Sequence, residues 1–466
     1  MTDHLTTSFV VESMRARGYL VMPGPEAEIT GGAADSRTVL AGDLFTAFPG
    51  ERADGNRFVA EALGRGAAAA ICERVPQGEF PDKTIVVAPN ATRAVGELAN
   101  DWRRQCGPRV VGITGTVGKT TTKDLTAAAV GTAFRTHKSA GNFNSREGLP
   151  LAVMSLRRDH EVSVLELAMD SIGEILYLCE IAEPEVGVVL NVGLTHVEKL
   201  GTIEAIQREK LTLPRYLPEA GTAVLNADDP RVGPAASGLR CQVIGFGAGP
   251  AATLAVSNVT TQGLLGVSFD ASFAGETVRV SSPLPGVHTV AAALAAMGVC
   301  LALGMALPAA AAAIGASGEA GRSRIYVGRA GATIIDDRYN SSPASLAGAL
   351  SMLGSLSGRR IALLGRMAEL GEFEAGEHRS VGALAAENAD ILIASGESCR
   401  ELIAAAREAG MAESAAHWFA EKEEAAAFLA PQLRQGDYIL VKASRGEAFE
   451  TILPLLGGDG AAGEDS

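Results

Sequence analysis

The chain is poor in cysteine, and its few cysteines are not arranged as a disulfide framework or a zinc site would require. Six cysteines are scattered over 466 residues, and no two of them stand in a C-x-x-C pair. Structural zinc sites and disulfide-rich scaffolds both depend on closely spaced cysteines, so the spacing excludes them. We therefore expect a reducing compartment, the cytoplasm.

An excess of positive charge is also lacking. The formal net charge is -14, whereas proteins that bind nucleic acid generally present a basic face to the phosphates. The composition therefore excludes a general nucleic-acid binder. A phosphate ligand is still possible, because backbone amides and a few cations can hold one locally.

Targeting and membrane segments are not expected. Residues 1–10 contain no basic stretch followed by an apolar core, so they do not resemble a secretory signal. Residues 289–316 carry no charge and are long enough to span a bilayer, but they are mostly alanine and contain Gly304 and Pro308. We interpret this stretch as two buried helices joined near those two residues.

Three blocks follow one another along the chain, and together they predict a three-domain α/β protein. Residues 1–106 are a small mixed α/β region. Residues 107–320 alternate short apolar strands with helical patterns, which predicts a central parallel sheet covered by helices. Residues 321–466 repeat this alternation and predict a Rossmann-like sheet, followed by a glycine-rich acidic tail that we expect to be disordered. The strands we predict most directly are 109–114, 162–167, 186–191, 332–336, 360–364, 391–394 and 438–441.

The strongest single motif is a glycine loop that follows the strand at 109–114. Gly115 and Gly118 allow backbone amides to approach phosphate, Lys119 adds a cation, and Thr120 can hold magnesium at a helix start. The usual G-x4-G-K-[ST] pattern is not met, because Ile113 occupies the position of its first glycine. A dinucleotide loop and a purely structural glycine turn are the alternatives, and the Lys-Thr pair favours a triphosphate.

Taken with further motifs, this loop resembles that of the Mur ligase family, and the resemblance covers nearly the whole chain. Within the family, the chain is most similar to the branch that adds D-Ala-D-Ala to UDP-N-acetylmuramoyl-tripeptide. The motifs that carry the resemblance are residues 35–37, 42–45, 54–55, 115–121, 141–145, 148–150, 166–168, 191–196, 336–343, 369–371 and 442–445.

The resemblance implies an enzyme of peptidoglycan synthesis with ATP and Mg²⁺ as cofactors. Its substrates would be UDP-N-acetylmuramoyl-tripeptide and D-Ala-D-Ala, joined through an acyl phosphate. The N-terminal domain would bind the uridine nucleotide, the central domain would bind ATP, and closure of the C-terminal domain would exclude water. We expect a monomer with no nucleic-acid partner.

The resemblance also assigns roles to individual residues of this sequence. The catalytic residues would be Lys119, His196 and Lys210. The nucleotide would be held by Gly115, Thr116, Gly118, Lys119, Thr120, Thr121, Arg322 and Asp336. The metal ligands would be Thr120, Glu166, His196 and Lys210. The substrates would be held by Ser36, Arg37, Asn142, Asn144, Asn340 and Arg445.

Lys210 is the least ordinary of these assignments. The family's lysine at this position is commonly carbamylated. A neutral amine that adds carbon dioxide becomes an anion, which can ligate a metal that a free lysine would repel. Without the resemblance, Lys210 would be interpreted as an exposed lysine on a helix.

The sequence departs from the family at several positions. The two asparagines of the run that recognises adenine are replaced by Thr289 and Ala292. Each lost hydrogen bond is worth about 0.5–1.5 kcal/mol, so we expect weak selection of adenine with the phosphate chemistry retained. Further departures lie in the substrate motifs, at Ser145, Ser341, Arg366 and Ala443.

Three other functions fit part of the sequence. A folylpolyglutamate-type ligase of the same superfamily is one alternative, and the motifs at 339–340 and 369–371 argue against it. A non-catalytic nucleotide-binding scaffold would explain the missing asparagines. Such a scaffold would not need to retain Lys119, Thr120, Glu166, His196 and Lys210 together. A dinucleotide oxidoreductase is disfavoured by the Lys-Thr pair.

Overall fold

The computed structural model describes residues 3–50, 53–318 and 324–458. Arg322, which the resemblance assigns to the nucleotide, lies outside these residues, and so does the tail from residue 459 onward. In the described part of the chain, no helix is long and apolar enough to cross a membrane.

The N-terminal part is built around a five-stranded sheet with the order β2-β7-β6-β5-β4, in which β2 alone runs antiparallel to its neighbour. Its long helix α3 begins at the cap residue Asn90, whose side chain accepts from the Arg93 amide, and ends at Gly107 in a left-handed conformation. Helix α3 packs against two helices of the central part, α5 (Gly148–Met154) and α6 (Glu174–Ala182). The elements are β1 Leu5–Thr6, α1 Thr7–Ala16, β2 Leu20–Met22, β3 Glu28–Ile29, β4 Gly31–Ala33, β5 Asp43–Thr46, α2 Val59–Gly64, β6 Ala69–Cys72, β7 Thr84–Val87 and α3 Ala91–Cys106.

The central part contains a nine-stranded sheet with the order β16-β15-β14-β13-β12-β11-β8-β10-β9. The elements are β8 Arg109–Thr114, α4 Lys119–Val130, β9 Thr136–Lys138, α5 Gly148–Met154, β10 Val162–Glu166, α6 Glu174–Ala182, β11 Val186–Val189, α7 Val197–Leu200, α8 Ile203–Lys210, α9 Thr212–Tyr216, β12 Thr222–Asn226, β13 Gln242–Gly247, β14 Leu254–Thr261, β15 Val267–Phe273, β16 Glu276–Ser282, α10 Val290–Ala302 and α11 Leu307–Gly315.

Burial explains why the middle strands of this sheet are so apolar. Strands β10 and β11 are buried along their whole length, as expected for parallel strands covered by helices on both faces. The uncharged stretch after Thr289 forms the two helices α10 and α11, which pack against the sheet and against α4. The interpretation of this stretch as two buried helices is therefore confirmed.

One end of the central sheet differs from the parallel arrangement that alternation predicted. Strands β14, β15 and β16 form an antiparallel meander. The β15–β16 hairpin turns at Ala274 and Gly275, which both have positive φ, and such two-residue turns fit the twist of paired strands. The sheet is therefore parallel from β9 to β14 and antiparallel beyond it.

The C-terminal part is a six-stranded sheet with the order β17-β18-β22-β19-β20-β21, parallel except for the edge strand β17. We refer to this sheet and its helices as the C-terminal domain. The elements are β17 Arg324–Val327, β18 Thr333–Asp336, α12 Pro343–Gly354, β19 Arg359–Leu364, α13 Glu374–Asn388, β20 Ile391–Ser395, α14 Cys399–Glu408, β21 Ala416–Phe419, α15 Lys422–Leu429 and β22 Asp437–Lys442. The predicted fold class, an α/β chain with a largely parallel central sheet and a Rossmann-like C-terminal sheet, is confirmed; a small two-stranded sheet of β1 and β3 accompanies the three large sheets.

Candidate active site

The glycine loop joins the end of β8 to the start of α4, in the strand–loop–helix order that phosphate binding requires. Gly118 caps the helix with φ of 88°, a conformation that side chains rarely adopt. A Cβ on Gly115 would lie 2.9 Å from the Leu190 Cβ, so the neighbouring strand end leaves no room for a larger residue. The loop thus presents its backbone and the helix start to a ligand.

Asn191 holds this loop in shape from the end of the adjacent strand β11. Its Oδ1 accepts from the Thr116 and Val117 amides at 3.0 and 2.9 Å, and its Nδ2 donates to the Val117 carbonyl at 3.0 Å. Asn191 belongs to the motif at 191–196, but the sequence analysis predicted no role for it. Its position after a buried strand, at the carboxyl edge of the sheet, was the available signal.

Two lysines converge on the same carbonyl of the loop. Lys119 Nζ donates to the Gly115 carbonyl at 2.9 Å, and Lys210 Nζ reaches that oxygen from α8 at the same distance. Lys210 is buried, with 2% of its surface exposed. Burial lowers the pKa of Lys210 well below its usual value, and the charge of Lys119 lowers it further. Its burial and its lowered pKa distinguish Lys210 from the exposed helix lysine that its local sequence alone would indicate.

The residue before Lys210 ties α8 to the loop that follows β10. Glu209 is buried, and its carboxylate accepts from the amides of Gly173 and Ile175 at 2.9 and 2.8 Å. Sequence reasoning missed this residue, because a glutamate on a helix carries no signal of its own. The contact fixes α8 against the segment that leads away from Glu166.

Glu166 ends β10 and is buried among polar partners. Its two carboxylate oxygens accept from the Thr120 hydroxyl at 2.7 Å and from the Asn144 amide at 2.8 Å. Asn144 was expected to contact the substrate, and here it contacts the carboxylate. A hydroxyl and a carboxylate next to a phosphate loop are oxygen donors of the kind that Mg²⁺ takes, with the rest of its shell supplied by phosphate and water.

The described residues contain no cluster of three or more His, Cys, Asp or Glu that could enclose a metal ion. Mg²⁺ at nucleotide sites commonly uses one or two protein ligands together with phosphates. Thr120 and Glu166 fit that requirement. Lys210 fits it only as a carbamate, because an amine or an ammonium offers no oxygen.

Lys123 links the phosphate helix to the loop that carries Asn144. It is buried on α4, and its Nζ donates to the carbonyls of Ser139 and Gly141 at 2.9 and 3.3 Å. Sequence reasoning did not single it out, although it lies four residues after Lys119 and therefore one helical turn along. These two hydrogen bonds connect α4 to this loop.

A cavity of about 330 Å³ lies between the central sheet and the C-terminal domain. Among the predicted residues, it is lined by Thr116, Gly118, Lys119, Thr120, Thr121, Glu166 and Asn340. Thr289 and Ala292 also line it, and the Thr289 hydroxyl donates to the carbonyls of Leu284 and Gly286 within its own turn. Neither residue presents an amide to the cavity, and weak adenine selection stays a prediction.

The C-terminal wall of the cavity contains a buried cation. Lys442 Nζ donates to Asp337 Oδ2 at 2.6 Å and to the Asn340 carbonyl at 2.9 Å. Asp337 lines the cavity, whereas Asp336, the residue assigned from the resemblance, pairs with Arg338 at 3.0 Å and is not part of the described lining. Burial raises the pKa of Asp336. The structure therefore places Asp337, one residue further along, at the cavity.

His196 is not among the described residues that line the cavity. It precedes α7, and its Nδ1 is 2.6 Å from Glu369 Oε2 of the C-terminal domain. The residues predicted as metal ligands are therefore brought together only in part: Thr120 contacts Glu166 directly, Lys210 adjoins Gly115, and His196 faces the other domain.

The residues predicted to hold the substrates are spread over all three parts of the chain. The Ser36 hydroxyl donates to Glu61 at 3.1 Å, and Arg37 pairs with Asp35. Asn142 is exposed on the loop that Lys123 holds. In the C-terminal domain, Arg445 donates to the Tyr339 hydroxyl at 3.1 Å and lies over its ring. These contacts lie in separate parts of the described chain, and the roles of the residues stay predictions.

The three large sheets, the phosphate loop and the buried carboxylate define a nucleotide-binding α/β enzyme. Three models of one family match consecutive parts of the chain: "Mur ligase family, catalytic domain" over residues 28–103, "Mur ligase middle domain" over 113–300, and "Mur ligase, glutamate ligase domain" over 321–445. The chain belongs to the Mur ligase family, and the resemblance drawn from its motifs is confirmed.

Named relatives agree with this assignment over nearly the full length. The UDP-N-acetylmuramoyl-tripeptide–D-alanyl-D-alanine ligase of Bacillus subtilis (strain 168) is 32% identical over 94% of this chain and 96% of its own. The enzyme of that name from Escherichia coli (strain K12) is 31% identical over 93% and 95%.

Solved structures give the same result. MurF from Acinetobacter baumannii superposes with a TM-score of 0.86 at 26% identity, covering 98% of this chain and 99% of its own. MurF ligase from Thermotoga maritima in complex with ADP gives 0.78 at 27% identity, covering 92% and 97%. Folylpolyglutamate synthase of Mycobacterium tuberculosis shares the fold at 18% identity, with a TM-score of 0.59 and 79% of this chain covered, against 94% of its own.

Proposed function

We propose that this chain is the ATP-dependent ligase that adds D-Ala-D-Ala to UDP-N-acetylmuramoyl-tripeptide in peptidoglycan synthesis. The terminal carboxylate of the tripeptide attacks the γ-phosphorus of ATP, which forms an acyl phosphate and releases ADP. The amine of the dipeptide then attacks the acyl carbon. The carbon–oxygen bond to phosphate breaks, an amide forms, inorganic phosphate leaves and the amine gives up a proton.

The observation that carries the proposal is the phosphate loop opening onto the cavity between the central and C-terminal parts. An attacking carboxylate and a triphosphate are both anions, so the site must supply positive charge before they can approach. Lys119 and the start of α4 supply it, and Lys119 lines the cavity together with Thr120 and Glu166. The relatives with this activity cover nearly the whole chain, which supports the choice of substrates.

We further propose that Thr120 and Glu166 hold a first magnesium ion, and that His196 and carbamylated Lys210 contribute to a second. Bound magnesium would neutralise the phosphate oxygens during transfer. The Thr120–Glu166 contact of 2.7 Å supports the first assignment. The burial of Lys210 and its lowered pKa support the second, because a neutral amine is the form that adds carbon dioxide.

The remaining assignments are proposals of the same kind. Ser36, Arg37, Asn142 and Asn144 would hold the nucleotide sugar and its peptide, and Asn340 and Arg445 the C-terminal side of the substrates. Gly115, Thr116, Gly118 and Thr121 would hold ATP. Arg322 would reach it from the C-terminal domain together with Asp337, which lines the cavity where the resemblance had assigned Asp336. All six cysteines are free, which supports a cytoplasmic location.

Release of inorganic phosphate from ATP tests the function. With UDP-N-acetylmuramoyl-tripeptide and D-Ala-D-Ala both present, we expect sustained release and one amide product per phosphate. Omission of the dipeptide should reduce the rate to near background, because the acyl phosphate then has no amine acceptor.

Two results would reject the proposal in different ways. Phosphate release that does not depend on the dipeptide would reject the choice of amine and leave the family open. No phosphate release from any substrate set would favour a non-catalytic scaffold. Incubation with a folate and glutamate serves as the control for a folylpolyglutamate-type activity, and we expect no turnover there.

A further inference from the structure

One pair of side chains connects the metal-site region to a loop of the C-terminal domain. His196 Nδ1 lies 2.6 Å from Glu369 Oε2, across the boundary between the central and C-terminal parts. Glu369 belongs to the motif at 369–371, which the sequence singled out and to which the proposed reaction gives no task.

Both residues adopt a backbone conformation that is unfavourable for their type. His196 has φ of 52° and Glu369 has φ of 64°, in the left-handed region that usually favours glycine. Such conformations are strained and persist where the surrounding structure enforces them. The two side chains that meet across the boundary therefore both stand on strained backbone.

The loop that carries Glu369 is anchored entirely within the C-terminal domain. Arg366 makes two hydrogen bonds to Glu374, at 2.6 and 2.8 Å, which connect the loop to the start of α13. The Met367 amide donates to His378 Nε2 at 3.2 Å, and the Ala368 amide donates to the Ser444 hydroxyl at 2.9 Å. Glu369 must therefore move with that domain as one body.

The opposite side of the contact belongs to the central part. His196 immediately precedes α7, and Lys199 on that helix pairs with Asp170, which follows the strand of Glu166. Gly371 is also close, since a Cβ placed there would lie 3.3 Å from Glu198 Cγ. The imidazole is thus held between a helix of the central part and a carboxylate that arrives with the other domain.

We propose that Glu369 is a positioning residue that fixes the orientation of His196 only when the C-terminal domain has closed on the central part. Carboxylates that bind one ring nitrogen of a histidine set the direction of the other nitrogen, and their loss typically costs about 10- to 100-fold in metal affinity or activity. Closure would then complete the site at the moment when water is excluded. The inference rests on the proposed function for its catalytic consequence.

The test combines a distance between domains with steady-state kinetics. Spin labels are attached to Glu219→Cys in the central part and Glu387→Cys in the C-terminal domain, both exposed positions, in a Cys106→Ser background because the other cysteines are buried. The distance between the two labels is measured in the presence of ADP and magnesium. Three labelled proteins are compared: one that retains Glu369, one with Glu369→Gln and one with Glu369→Ala. Glu372→Gln, an exposed glutamate three residues along, is the matched control.

We expect both Glu369 variants to broaden the distance distribution of the ADP-bound protein towards longer values. They should also lower kcat by about 10- to 100-fold with little change in KM for the tripeptide substrate, while Glu372→Gln matches the unchanged chain in both readouts. A distance distribution unaffected by either Glu369 variant would overturn the proposal, even if kcat fell. If the unchanged chain showed no dipeptide-dependent turnover, the proposed function would fail, but the distances need only ADP and would still decide the role of Glu369.

Discussion

Replacement of Lys119 by alanine should abolish ligase turnover while leaving the protein folded. The ammonium group reaches the Gly115 and Thr116 carbonyls at the mouth of the phosphate loop, at 2.9 and 3.3 Å. Its main contribution falls in the transition state, when charge spreads over the transferring phosphoryl group, and loss of one such donor costs about 10²- to 10³-fold in rate. Single-turnover formation of ADP, measured beside a thermal melt, checks this.

Lys138→Ala is the matched control for this substitution. Lys138 is an exposed lysine of the same sheet that pairs with Asp124 at 2.8 Å, so its loss removes a charge at a distance from the loop. We expect the control to keep its rate. A Lys119→Ala protein that turned over at nearly the native rate would show that this loop does not bind the triphosphate.

Lys210→Ala should be nearly as damaging, for a different reason. If the buried amine carries carbon dioxide, the residue supplies an anion to the metal site, and its loss leaves the metal without a ligand. A small carboxylate such as formate can occupy the vacated space and restore part of the rate. An unmodified ammonium would behave in the opposite way, because an added anion would not replace a lost cation. The measurement is turnover of the variant with and without millimolar formate.

Arg208→Ala, on the exposed side of the same helix α8, controls for general effects of losing a cation there. It should neither lose activity nor respond to formate. Full activity of Lys210→Ala without additive would remove Lys210 from the site. If the variant is inactive and formate does not restore it, spectroscopy of the native protein with isotopically labelled bicarbonate reports the carbamate directly.

The sequence predicted the parts of the fold that depend on local pattern. Strand β8 was placed at 109–114, where the structure has it, because a short apolar run ends abruptly at a glycine loop. The antiparallel end of the central sheet was not predicted. Alternation of strands and helices had suggested parallel pairing, and in β14 most side chains are partly or fully exposed, so the strand shows no clear buried pattern.

The candidate site also combines contacts that the sequence motifs predicted with contacts that they did not. Thr120 and Glu166 were expected to meet, and they do so at 2.7 Å. The burial of Lys210 depends on packing between α8 and the glycine loop, to which its own helix gives no clue. The contact of His196 with Glu369 joins residues far apart in the chain, both in conformations that their residue types rarely adopt, and no local pattern encodes it.

The two adjacent aspartates at the end of β18 show how much one position along the chain changes the surroundings of a side chain. Asp336 and Asp337 stand side by side in the sequence, and the resemblance led to the first of them. In the structure Asp336 is the last residue of β18 and turns to Arg338, while Asp337 reaches the cavity and Lys442. Successive residues of an extended segment point to opposite faces, so a shift of one position decides which carboxylate lines the cavity.

The central claim is that the tripeptide carboxylate is activated as an acyl phosphate, and heavy oxygen in that carboxylate tests it most directly. The substrate is labelled with oxygen-18 in its terminal carboxylate and incubated with ATP and D-Ala-D-Ala, and the released phosphate is analysed by mass spectrometry. The account predicts that each phosphate carries one heavy oxygen, because the carboxylate oxygen that attacks phosphorus leaves with it when the amide forms. Unlabelled phosphate formed together with the amide product would contradict it, since the phosphate would then never have been bonded to the substrate.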